Sequence, residues 1–143
     1  VLKKPSYLSL EYVLRKYEVL TEATFGLTSI TLKPGSTIQN DLGTFTYRNI
    51  KRELFTGYVS DYFLDNEFLI ASKAKALFDF LYFKSGSLSE NTINDRNLVD
   101  DLRLNMETFN SGDIAELREY LKLDVPEKVR SIITNIADNA PNS

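Results

Sequence analysis

The chain contains no cysteine and no histidine. Without cysteine there are no disulfides, no thiolate nucleophiles, no iron–sulfur clusters and no thiolate zinc sites. Without histidine the commonest general base near neutral pH is gone, and with it Ser-His-Asp triads and imidazole-ligated metals. An enzyme built from this chain would have to work with carboxylates, Lys, Tyr and Ser. No apolar run approaches the length of a membrane span. No basic start, apolar core and cleavage site mark a signal peptide. No Walker loop or dinucleotide-binding glycine pattern occurs, and there is no internal repeat or low-complexity tract. The expectation is a cytoplasmic chain with no cofactor, no metal and no membrane partner. It begins with Val1 rather than Met, from which further residues upstream are expected.

What is present suits a folded domain. The 143 residues are 43% hydrophobic and 12% aromatic, enough for one domain over 1–143 that buries about two-thirds of its unfolded surface. Residues 1–84 carry 11 Lys/Arg and 9 Asp/Glu, whereas residues 85–143 carry 6 and 11. A basic first half can indicate a polyanion-binding face, although this excess is far smaller than nucleic-acid binders usually show.

The run from Phe68 to Phe83 reads as a short apolar strand, a turn and a helix. Ser72 stands at the N-cap position. From Ala76 to Phe83 only Asp79 is polar, and a helix apolar nearly all round is buried on most sides. Earlier in the chain, Lys3 to Tyr7 reads as a polar, proline-broken lead-in. Leu10, Val13, Leu14 and Tyr17 form an amphipathic stripe on a helix from about Ser9 to Val19, with Ser9 as its cap. Leu27–Leu32 is β-prone. Asn40-Asp41-Leu42-Gly43 reads as a loop of about four residues between two strands. Asp65-Asn66 is the expected turn between strands Tyr58–Leu64 and Glu67–Ala71. Lys51–Gly57 has no clear assignment.

After the central helix, Ser85–Asp95 reads as a loop. Leu98, Val99, Leu102 and Met106 suggest a helix ended by Ser111-Gly112-Asp113. Asp113 would cap a short helix through Leu121, and Pro126 opens a last helix with Val129, Ile132, Ile133 and Ile136 on its apolar face. Asp138–Ser143 should fray. Strands in one run and helices in another argue α+β: an antiparallel or mixed sheet of about five strands on a central buried helix, with a helical C-terminal tail.

Three constellations could carry chemistry. Ser72 and Lys75 match the S-x-x-K pattern of serine acyl transfer, but the partner motifs S-D-N and K-T-G are absent, and a helix cap with solvated lysines accounts for the pattern. Asp61, Asp65, Glu67 and Asp79 surround the second hairpin and central helix, where a metal-dependent nuclease would need converging oxygens. Turn and exposed-strand positions account for the first three. A buried Asp79 would need a firm partner, such as an Arg or backbone donors. Finally, Lys3, Lys4, Arg15, Lys16, Arg48, Lys51 and Arg52, interspersed with Tyr7, Tyr12 and Tyr47, form a candidate basic patch facing nucleic acid. An ordinary solvated surface competes with that reading.

Pro5-Ser6-Tyr7-Leu8-Ser9-Leu10-Glu11-Tyr12-Val13-Leu14 resembles the start of the antitoxin domain of AbiEi-type proteins, described as predicted transcriptional regulators of viral defence and abortive infection. Three later blocks, Phe45–Lys51, Glu53–Tyr58 and Ile70–Asp79, resemble the same family in the same order. The resemblance covers residues 5–83. It implies a non-catalytic antitoxin and regulatory domain of a type IV toxin–antitoxin pair, following a winged-helix DNA reader upstream of Val1. The implied partners are promoter DNA, bound mainly by that reader, and a nucleotidyltransferase-like toxin that is opposed without a stable complex; a homo-oligomer is an open option. Lys73 departs from the proline or acidic residue expected before the Lys-Ala-Leu run. The competing reading is a degenerate or cryptic carboxylate-dependent, nuclease-like enzyme.

Overall fold

The computed structural model describes residues 6–21 and 26–142. Its strands are β1 (Ser6–Leu8), β2 (Leu27–Thr31), β3 (Ser36–Asn40), β4 (Gly43–Asn49), β5 (Tyr58–Phe63) and β6 (Asn66–Ala71). They form one sheet in the order β3-β4-β2-β1-β6-β5. The β1–β6 and β2–β4 pairs are parallel and the others antiparallel. The fold is α+β, with six strands rather than five. The additional strand is β1, expected as lead-in. Three residues are too few to show an alternation. Its partners define it: Tyr7 lies opposite Ile30 of β2, and Leu8 opposite Ile70 of β6.

The helices are α1 (Leu10–Lys16), α2 (Lys73–Lys84), α3 (Glu90–Ile93), α4 (Leu98–Asp101), α5 (Ser111–Glu119) and α6 (Glu127–Asp138). Every residue of α2 from Ala74 to Leu81 is buried, as its composition requires. Helices α1, α5 and α6 pack around it. Val129, Ile132, Ile133 and Ile136 are buried on α6, and each such side chain contributes about 1.5–3 kcal/mol relative to exposure.

Ser9 stands at the N-cap position of α1 as expected, but its hydroxyl donates to Asp79 instead of accepting from the helix. Asp113 is not a cap but the third residue of α5, completing a capping box with Asn110, so Ser111-Gly112-Asp113 opens that helix. The first hairpin turns at Asp41-Leu42 alone, because Asn40 pairs with Gly43. The second turns at Leu64-Asp65, one residue earlier than expected, because Phe63 pairs with Asn66. Ser85–Asp95 contains a 3-10 turn and α3, capped by Ser89. The helix expected through Met106 stops at Asp101, and a separate 3-10 turn runs over Met106–Thr108. The unassigned Lys51–Gly57 holds another such turn, Arg52–Leu54. Beyond α6 the chain is tied down rather than frayed: Ala140 is buried and Asn142 donates to the Phe109 carbonyl at 2.9 Å.

Candidate functional site

Lys75 and Asp79 lie one turn apart on α2, and both side chains are fully buried. Burying either charge alone would be prohibitive, so each is surrounded by partners. The Lys75 ammonium has three donors. One goes to Asp79 Oδ1 at 2.6 Å, one to the Leu54 carbonyl at 2.7 Å and one to Tyr7 Oη at 2.9 Å. Asp79 Oδ2 accepts from Ser9 Oγ at 2.7 Å and Tyr7 Oη at 2.8 Å. The rings of Tyr7, Phe78 and Tyr120 surround the ammonium, with centroids 5.1–5.9 Å from Nζ. Tyr7 in turn stacks on Tyr58 and meets Phe55 edge-on. Thus one cluster joins β1, the Arg52–Leu54 turn, the start of β5 and α2. Among the described residues no buried side-chain polar atom lacks a partner.

Burial dominates the electrostatics of the pair. It pulls the Lys75 ammonium below the usual lysine range, against the opposing effect of Asp79. It pushes the Asp79 carboxyl up, against Lys75 and then the hydrogen bonds from Ser9 and Tyr7. Burial and then the Asp79 charge push the Tyr7 phenol up, so it stays protonated as a donor.

Gly57 makes this arrangement possible. Its φ is +78°, and a Cβ there would stand 2.6 Å from both Lys75 Cγ and Tyr120 Oη. Next to it, Ser72 caps α2 by accepting from the Lys75 N–H at 3.1 Å. The Ser72 hydroxyl donates to Glu116 of α5, which also accepts from Tyr120 Oη. The expected cap is therefore present, but the expected solvated lysines are not. Lys75 is buried, and Lys73 pairs with Asp113 at 2.7 Å. No hydrogen bond joins the Ser72 hydroxyl to the Lys75 amine, whose three donors are all committed elsewhere. The pair is not arranged as nucleophile and base.

The carboxylates do not converge either. Asp61 and Glu67 are exposed on β5 and β6, Asp65 is in the turn and Asp79 is in the core. Among the described residues no group of three or more acidic side chains could hold a metal. Asp79 has a partner as required, but it is a lysine and two hydroxyls rather than an Arg or backbone donors. A shallow cavity of about 460 Å³ on α6 is lined by Arg96, Glu127, Arg130 and Asn135, among others. Arg130 there bonds to Glu127 and the Leu121 carbonyl, so it serves the fold.

Lys3 and Lys4 of the candidate basic patch lie outside the described residues. Arg15 and Lys16 are exposed in the last turn of α1, and Arg52 is exposed in the 3-10 turn. Arg48 lies over the Phe83 ring at 4.2 Å, and Lys51 pairs with Asp124 at 3.3 Å. Of the interspersed tyrosines, Tyr7 and Tyr47 are buried and present no ring for stacking on bases, which corrects that part of the expectation.

Tyr7, Ser9, Leu54 and Gly57 were not legible as partners of α2 from the sequence. The one available signal was Asp79 in an apolar helix with a lysine four residues before it. No family model, curated protein or solved structure matches the chain.

Proposed function

We propose that the chain is a non-catalytic antitoxin and transcriptional regulatory domain of a type IV toxin–antitoxin, abortive-infection system of the AbiEi type. It counters a nucleotidyltransferase-like toxin and contributes to autorepression at its own promoter. The observation that carries this reading is where the resembling blocks meet. The first supplies Tyr7 and Ser9, the third Leu54, and the fourth Lys75 and Asp79. Residues far apart in the chain, all within the resembling blocks, form one buried network. Their polar groups are fully buried and bonded to one another, which supports a fold-holding role rather than chemistry at these positions. Arg15, Lys16, Arg48 and Arg52 are exposed; Arg48 lies over the Phe83 ring, and Arg15, Lys16 and Arg52 are proposed for phosphate contacts.

The test has two arms. With the toxin encoded beside this gene expressed, supplying the chain should restore growth. On promoter DNA, the chain joined to its DNA reader should bind with strong salt dependence. Replacing Arg15, Lys16 and Arg52 together with Ala should weaken binding on all sequences and flatten the salt slope. Failure to restore growth both with and without the reader would sink the reading.

A further inference from the structure

The β5–β6 hairpin presents an open sheet edge. Strand β5 pairs with β6 alone, and Val59, Tyr62, Phe63 and Leu64 are 59–80% exposed. The closing pair of a two-residue turn exchanges its main-chain hydrogen bonds, and bonded and non-bonded pairs then alternate along the ladder. Phe63, Asp61 and Val59 therefore use their N–H and C=O groups on β6, while Tyr62, Ser60 and Tyr58 direct theirs outward. Consistent with this, the Tyr62 N–H donates to Asp61 Oδ1 at 2.8 Å rather than to β6.

Unpaired edges are usually blunted by charged side chains, lysine above all, or by prolines or bulges; β5 has no lysine, proline or bulge, and its one charge is the negative Asp61. From Tyr58 to Ser72 the chain contains Asp61, Asp65 and Glu67 but no Lys or Arg. The tip adds Leu64, 80% exposed and held at φ 49°. A leucine there forgoes both burial and a favoured backbone region.

We propose that β5 is a docking edge for an extended, basic segment of a partner protein, which adds as an antiparallel strand. Asp61 is a non-hydrogen-bonded position on this edge, where side chains across a pair come closest. A Lys or Arg opposite Asp61, flanked two residues away on each side by apolar side chains, meets Val59 and Phe63 on the same face. The partner's main chain takes over the Tyr62 N–H, and the Asp61 carboxylate turns to the incoming cation. Charge selects against the other candidates. A second copy would bring the hairpin's three carboxylates again, Asp61 of them on the edge itself, and nucleic acid would bring phosphates.

The probe is a synthetic seven-residue peptide, threonines alternating with Val, Lys and Val, and the same peptide with Glu for Lys. Binding is followed by amide chemical shifts and hydrogen exchange on the full chain. The Lys peptide should shift resonances from Tyr58 to Leu64 and protect the Ser60 and Tyr62 amides. The Glu peptide should bind at least about tenfold more weakly, and Asp61→Lys should reverse that order. Ser60→Pro, which removes an outward donor while leaving the β6 ladder bonds in place, should abolish binding of either peptide. Equal binding of both peptides, shifts elsewhere on the surface, no binding, or self-association through β5 would each overturn the proposal. None of these outcomes depends on toxin or DNA.

Discussion

At Lys75 and Asp79 the helix spacing that on a surface contributes a few tenths of a kcal/mol has been moved into the core, where removing one partner is far more costly. Lys75→Met leaves the Asp79 carboxylate buried without its cation. The expected cost is about 3–5 kcal/mol by urea denaturation at neutral pH. The sign of the pH dependence follows from the direction of the Asp79 shift. Burial already raises that carboxyl, and Lys75 is the largest influence opposing the rise. Without Lys75 the folded chain holds a proton on Asp79 over a wider range than the unfolded chain does. Stability of the variant should then fall as pH rises from the ordinary aspartate range through the raised value. A variant whose stability rises over that interval would contradict the assignment. Lys75→Met with Asp79→Leu should recover most of the loss. The Tyr7 and Ser9 hydroxyls and the Leu54 carbonyl lose their partners, which keeps recovery short of complete.

At the scale of elements, Gly57 is where β5 leaves the core and passes the start of α2. The positive φ and the two side chains in the way predict that Gly57→Ala costs about 2–4 kcal/mol from backbone strain and overpacking together. Gly86→Ala is the control, since nothing lies within 4 Å of a Cβ there. Equal melting temperatures for the two variants would contradict the packing described. The elements also differ in how far they could be read from sequence. Helix α2 was legible down to its cap, because an apolar run after Ser72 is a local signal. The α6 face was legible for the same reason. Strand β1 was not, being three residues defined by partners more than 20 positions away. Ser9 was placed at its cap position but its hydroxyl is drawn away by a tertiary contact with Asp79, whereas Asp113 was read as the cap because Asn110, three residues before it, competes locally for that position. Both hairpins were placed but not their exact turns. Leu64 in a left-handed conformation contradicts the propensity on which the turn rule rests.

At the scale of the molecule, the class and the central helix were readable and the polar site was not. Its hydrogen-bonded members come from three stretches of chain, and no spacing rule connects Tyr7 or Leu54 to Lys75. The blocks that resemble AbiEi-type antitoxins contain those members, which makes the network the natural place to separate fold from activity. The deciding measurement is growth rescue against the toxin that the proposed function places beside this gene, comparing the wild-type chain with Lys75→Met/Asp79→Leu after circular dichroism shows the variant folded at the growth temperature. On the proposed function both should restore growth equally, since the pair holds the fold and that proposal assigns the activity to the surface. A folded double variant that fails while the wild type succeeds would show that the buried pair is itself functional, and failure of the wild type both alone and joined to its DNA reader would remove the antitoxin reading.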